Sequence, residues 1–194
     1  LNADDGTVRA LVGGFDFNRK KFNHVTSGWR QPGSSMKPFI YSAALEKGYS
    51  PATQINDVQL SQTTDEVLKW DPRNDDGKYE GPVSMRYALA HSKNVVSVRI
   101  LQAIGVQHAL DWLQHFGFSK DKHPANLTMT LGTGSVTPMQ LAGAYAVFAN
   151  GGYQVSPQLI TRITDAKGQV LKSVPVNKVD ESARVIDARN AFIT

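Results

Sequence analysis

Cysteine is missing from all 194 residues. Its absence excludes a disulfide framework, a thiol nucleophile, zinc–thiolate sites and iron–sulfur clusters together. It leaves the compartment open, because oxidising compartments also host cysteine-free proteins. Long apolar runs are missing too: nothing approaches the ~18 consecutive apolar residues of a membrane span. No Met stands at position 1 and no charged-then-apolar leader follows, so no signal peptide is read. A start at Leu1-Asn2 is the start expected of an excised or processed piece. Charge of one sign is sparse, with 21 Lys+Arg against 17 Asp+Glu and a net charge of +4. The densest basic clusters are Arg19-Lys20-Lys21 and Lys120 with Lys122, without interleaved aromatics, so nucleic acid is not an expected partner. A solvated surface with a weak pull toward anionic surfaces remains. The histidines, His24, His91, His108, His115 and His123, show no metal-ligand spacing, and neither a metal nor a cofactor is expected.

What is present is ordinary for a globular chain: 41% hydrophobic and 20% charged residues. The length suits one domain, or one compact domain with a small satellite, and buries about 70% of its unfolded surface. Alternation over Val8–Val12, ended by Gly13-Gly14, predicts a strand. Pro32-Gly33 breaks the chain, and Ser34–Lys47 predicts a helix closed by Gly48. Residues 50–82 are loop-rich, with one short strand expected at Val58–Leu60. Ser84 caps a predicted helix reaching His91. Further helices are predicted over Asn94–Ile104, ended by Gly105, and Val106–Phe116, ended by Gly117. Thr137-Pro138 opens another, stopped by Asn150-Gly151-Gly152. Gln158–Thr164 and Gln169–Val174 alternate around Asp165-Ala166-Lys167-Gly168 and predict a hairpin. Asp187 caps a last helix. The order implies an α+β fold, helices segregated from a small antiparallel sheet.

Two short motifs carry chemistry. Ser34-Ser35-Met36-Lys37 fits S-x-x-K, which sets a hydroxyl and an amine on one face of a helix start. A serine hydroxyl is a weak nucleophile without a neighbouring base, and a lysine desolvated against a helix wall can serve as one. Unpaired N–H groups at the helix start suit an oxyanion. Yet 14 Ser and 12 Lys in 194 residues give about 0.9 chance match. Ser119-Lys120-Asp121-Lys122 is a second one, and an N-cap is the ordinary role of a serine after Pro-Gly. Ser92-Lys93-Asn94 fits S-x-N between two predicted helices, where a hydroxyl and an amide could relay a proton and hold a carbonyl, or simply cap a helix. Leu131-Gly132-Thr133-Gly134 is no phosphate loop, because no Lys-Ser/Thr follows. Met139, Leu141, Ala142, Tyr145 and Phe148 have helical spacing and are expected in the core.

The longer context changes the weight of these readings. Arg30-Gln31-Pro32-Gly33-Ser34-Ser35-Met36-Lys37-Pro38-Phe39-Ile40-Tyr41 resembles the active-serine segment of the bifunctional, class A penicillin-binding proteins. Ser92-Lys93-Asn94, 55 residues after Lys37, resembles their second motif. Trp70-Asp71-Pro72-Arg73-Asn74, Gly81-Pro82, Leu131-Gly132 with Val136-Thr137-Pro138, and Ala146–Gly152 are similar to further family segments, so the resemblance runs over essentially the whole chain, with a Gram-negative flavour. It implies a D,D-transpeptidase that cross-links peptidoglycan stem peptides and is acylated by β-lactams. The fold implied is that of the serine transpeptidases and β-lactamases, a helical lobe beside a helix-flanked antiparallel sheet. Ser34 would be the nucleophile, Lys37 its base, Ser92 a proton relay and Asn94 a binder of the substrate amide; the identity of the base is disputed across this motif set.

The family's third motif, Lys-Thr/Ser-Gly, does not occur in these 194 residues. The expectation is therefore that residues 1–194 form part of a transpeptidase domain, incomplete at the C-terminus. Such a piece needs its own C-terminal segment with the third motif and acylates poorly alone. The resemblance also implies a parent with a glycosyltransferase domain and a membrane anchor, working at the periplasmic face of the bacterial inner membrane. Two alternatives stay open: a β-lactamase or β-lactam sensor of the same fold, and a non-catalytic envelope binding module. Class A lactamases deacylate through a glutamate between the second and third motifs. Here Glu46, Glu66, Glu80 and Glu181 are the glutamates, and none lies between Ser92 and Asp180.

Overall fold

Glycine, proline and small polar residues set the ends of most helices. A computed structural model describes residues 1–60, 70–175 and 179–194. In chain order the elements are α1 (His24–Ser27), α2 (Lys37–Glu46), β1 (Gln54–Asp57), β2 (Gly81–Ser84), α3 (Met85–Ala90), α4 (Asn94–Ile104), α5 (Val106–Leu113), α6 (Pro138–Ala149), β3 (Arg162–Thr164), β4 (Val170–Ser173) and α7 (Ala188–Ile193). The predicted caps operate. Ser84 accepts a hydrogen bond from the Tyr87 amide and Thr137 from the Gln140 amide, and Pro138 opens α6. Gly105 ends α4 at φ 89°, a conformation that costs glycine little. The chain divides into two compact units.

The first unit holds residues 1–30, 114–118 and 136–192. Its sheet content is the β3–β4 hairpin, antiparallel with an irregularity between Ile163 and Thr164. The strand expected at Val8–Val12 is not formed; the backbone there makes one parallel bridge, Thr7 with Gln158. Alternation was the only signal for it, and a strand also needs a partner edge. Along α6 the expected core stripe is corrected as well. Ala144, Ala146 and Val147 are buried, whereas Met139, Leu141 and Phe148 are half-buried and Ala142 and Tyr145 are exposed. The helix is apolar around its circumference, so periodicity could not choose a face. Phe116 and Phe148 pack with ring centroids 5.0 Å apart. His115 sits in a 3₁₀ turn beyond α5, its Nδ1 2.6 Å from the Val185 carbonyl.

The second unit holds residues 31–113, 119–135 and 193–194. At its centre lies α4, buried over Asn94–Val98 and at Ile100, Leu101 and Ile104. Helix α2 packs against α4 and α5, contributing Phe39, Ile40, Ala43 and Ala44, and Met129 of the 127–131 3₁₀ turn closes the layer. Each fully buried Phe or Ile in this layer contributes about 1.5–3 kcal/mol. β1 pairs antiparallel with β2, Ile55 opposite Val83. This strand lies just before the expected Val58–Leu60, which instead follows it as irregular chain. Residues 61–69 of the loop-rich stretch fall outside the described residues. His108 is half-buried, with Nε2 3.3 Å from the Ala43 carbonyl and its ring stacked on Trp112 at 6.4 Å between centroids. No helix among the described residues is long and apolar enough to cross a membrane.

Candidate active site

Ser34 lies in the 3₁₀ turn Gly33–Met36 that leads into α2, and Lys37 is the first residue of the helix. The turn is forced by a close backbone approach. Gly33 adopts φ 58° and its amide donates to the Gly132 carbonyl at 3.3 Å. A Cβ on Gly132 would collide with the oxygen and nitrogen of Gly33. The Leu131-Gly132 segment is thus the wall against which the Ser34 turn is pressed. The Ser34 side chain is exposed, and among the described residues its hydroxyl has no hydrogen-bond partner.

Lys37 is 1% exposed. Its Nζ donates to the Ser92 carbonyl at 2.6 Å, the Ser92 hydroxyl at 2.9 Å and Asn94 Oδ1 at 2.6 Å. Burial pulls its pKa down to about 8, against the opposing charge of Asp75. Three acceptors match the three protons of an ammonium. Only one of them, the Ser92 hydroxyl, can also donate. When Lys37 is neutral, the Ser92 O–H can turn toward its lone pair without any heavy atom moving, so Lys37 and Ser92 can exchange a proton in place.

Ser92 stands in the turn between α3 and α4 with φ 53°, the sole non-glycine with positive φ among the described residues. Asn94 opens α4 and is nearly buried. Its Nδ2 donates to the Arg73 carbonyl and to Asp75 Oδ1, both at 2.9 Å. Each polar atom of the Asn94 side chain is therefore engaged within the chain, and a substrate amide would have to exchange with one of these partners.

The structure brings Lys37, Ser92 and Asn94 into one hydrogen-bonded cluster and sets Ser34 one turn ahead of Lys37. It also reveals a residue that sequence reasoning passed over. Lys93, the variable letter of Ser92-Lys93-Asn94, is 2% exposed. Its Nζ lies 2.6 Å from Glu80, 3.1 Å from Asp76 and 3.5 Å from Asp57, the last a fully buried carboxylate. Burial alone would lower its pKa, but hydrogen bonds to Glu80 and Asp76 and the charge of Asp57 together hold it above the ordinary lysine range. Asn74, from the Trp70–Asn74 segment, donates to Asp57 at 2.7 Å and accepts from the Val95 amide at 3.2 Å, capping α4 from a distance. No local pattern links Asp57, Asn74, Asp76, Glu80 and Lys93; only the fold does. The rival Ser119-Lys122 pair is unlike Ser34-Lys37: the Lys122 side chain is 44% exposed and lies 3.5 Å from Asp121.

Comparisons with known proteins fit this geometry. Residues 1–192 match the family model described as the penicillin binding protein transpeptidase domain. The chain is 47% identical over its whole length to penicillin-binding protein 1A of Neisseria lactamica, covering 25% of that protein. It spans about a quarter of the length of the curated relatives it matches. The crystal structure of penicillin-binding protein 1A from Haemophilus influenzae superposes with a TM-score of 0.92 at 36% identity, covering 100% of this chain and 33% of that one. PonA1 from Mycobacterium tuberculosis, solved in complex with penicillin V, gives 0.79 at 26% identity, covering 98% of this chain and 51% of that one.

Proposed function

The chain belongs to the penicillin-binding protein transpeptidase family, and on that premise we propose that its second unit carries the serine acylation site of a peptidoglycan D,D-transpeptidase. The observation that carries the reading is the triple hydrogen bond from Lys37 Nζ to Ser92 and Asn94, one turn after the exposed Ser34. In this reading Ser34 Oγ attacks the carbonyl carbon of a D-Ala-D-Ala peptide bond, or of a β-lactam, while Lys37 takes its proton. The proton passes through the Ser92 hydroxyl to the leaving nitrogen, the C–N bond breaks, and an ester on Ser34 remains. An acceptor amine then attacks the ester, regenerating the Ser34 hydroxyl as the new amide forms. A lysine with a pKa near 8 is about one-tenth neutral at pH 7, enough for a general base close to its operating pH. Asn94 holds Lys37 in place and offers its amide to the substrate by exchange with Asp75.

We further propose that residues 1–194 are part of a larger transpeptidase domain, completed by a segment bearing Lys-Thr/Ser-Gly, in a parent that is membrane-anchored at the periplasmic face and also polymerises glycan strands. Coverage of only 25% of the relatives' length supports this. The test is peptide mapping after incubation of the full-length protein with a fluorescent penicillin. The reading expects one adduct on Ser34, stable over minutes; an adduct on Ser35 or Ser119 instead, or none, overturns it. Rapid loss of the adduct as hydrolysed drug would favour a β-lactamase.

A further inference from the structure

We propose that Lys93 is a positioning residue: clamped by Asp57, Asp76 and Glu80, it holds the left-handed turn at Ser92 that presents both the carbonyl and the hydroxyl of Ser92 to Lys37. This rests on the transpeptidase reading and adds to it a residue whose side chain is engaged by carboxylates.

A serine at φ 53° occupies a conformation that side chains avoid unless the surroundings impose it. Here the imposition comes from both sides of the next residue. The Ser92 amide donates to Leu89 O at 3.0 Å and the Lys93 amide to Ala88 O at 2.9 Å. The Lys93 carbonyl accepts from the Ser97 amide at 3.3 Å and the Ser97 hydroxyl at 2.8 Å. The Lys93 side chain then ties this peptide to β1 through Asp57 and to the loop before β2 through Asp76 and Glu80. Those groups are themselves fixed: Asp57 by Asn74 and the Glu80 amide, Glu80 by the Tyr87 hydroxyl of α3 at 2.7 Å. Lys93 is also the N-cap of α4 and makes no side-chain capping bond. A cation is the wrong charge for a helix N-terminus, where Ser, Asp or Asn would serve, and the Val95 amide is capped by Asn74 instead. A lysine at this position is thus explained by the carboxylate clamp and not by the helix.

The experiment uses the full-length protein and the double variant Asp76→Asn with Glu80→Gln, which leaves Lys93 paired with Asp57 and so strands no buried charge. Four quantities are read: the acylation rate at saturating fluorescent penicillin, the dissociation constant of the non-covalent complex, the melting temperature, and amide hydrogen exchange at Ser92 and Lys93. The proposal expects acylation slower by about tenfold or more with drug affinity unchanged, because a small misplacement of reacting groups costs rate before it costs binding. It also expects faster exchange at those two amides. A lower melting temperature with acylation rate and exchange both unchanged makes the clamp structural only and overturns the proposal. If the unaltered protein is not acylated, the transpeptidase reading fails, and exchange at Ser92 and Lys93 alone decides whether the clamp holds the turn.

Discussion

Lys37 and Lys93 are both at most 2% exposed, and the fold treats them in opposite ways. Lys37 is surrounded by a carbonyl, a hydroxyl and an amide oxygen, none of them charged. Lys93 is surrounded by carboxylates. Burial penalises the ammonium in both places; at Lys37 the charge of Asp75 offsets it only in part, whereas the carboxylates in direct contact with Lys93 outweigh it. The first lysine is therefore poised to release its proton near pH 8, and the second stays charged. Burial alone does not make a lysine a base; burial with neutral acceptors does. Residues 92–94 supply both arrangements at once, with Ser92 and Asn94 turned to Lys37 and the intervening side chain turned to the carboxylates.

The sharpest way to break this contrast is to remove each lysine. Lys37→Met should lower acylation by fluorescent penicillin by roughly 10³–10⁴-fold, the scale of losing a positioned base, with the smaller stability loss of the two, because it keeps the side-chain volume and leaves only neutral acceptors unpaired. Lys93→Met should weigh mainly on stability, with acylation slowed by about tenfold or more through the loosened Ser92 turn. It strands the buried Asp57 carboxylate and is expected to cost about 3–5 kcal/mol by chemical denaturation, because breaking a buried pair leaves an uncompensated charge. Equal stability losses in the two variants would erase the distinction. Next in size is the pH dependence. With neutral Lys37 as the proposed base, the acylation rate should rise about tenfold from pH 6 to pH 7 and level off above the Lys37 pKa of about 8. A flat profile over that range would remove Lys37 from the role.

The smallest expected effect marks what short motifs fail to convey. Lys122→Gln, in the second S-x-x-K, should change neither acylation nor stability beyond about 0.5 kcal/mol, as for an exposed residue outside special features. Four letters could not separate Ser34-Lys37 from Ser119-Lys122; the separation comes from the close approach of Gly33 and Gly132 and from the burial of Lys37, where Lys122 stays exposed. Local rules read the helix ends well. Asn94–Ile104 ends at Gly105 and α6 begins at Thr137-Pro138 because caps and stops act within a few residues. Non-local features were not readable. Val8–Val12 alternates yet forms no strand, its neighbour Thr7 making one bridge to Gln158, β1 lies at Gln54–Asp57 ahead of the expected segment, and α6 buries Ala144 and Val147 in place of Tyr145. The clamp on Lys93 joins residues 57, 76 and 80 to 93, separations that no period or turn signal spans.

The contrast between the two lysines can be read directly by titrating the protein labelled with ¹³C at lysine Cε, the two resonances assigned from Lys37→Arg and Lys93→Arg variants. The account predicts a Lys37 midpoint near pH 8, with the Lys93 resonance still that of an ammonium after the surface lysines have titrated. A Lys37 midpoint among the surface lysines, or a Lys93 resonance that titrates before them, would contradict it.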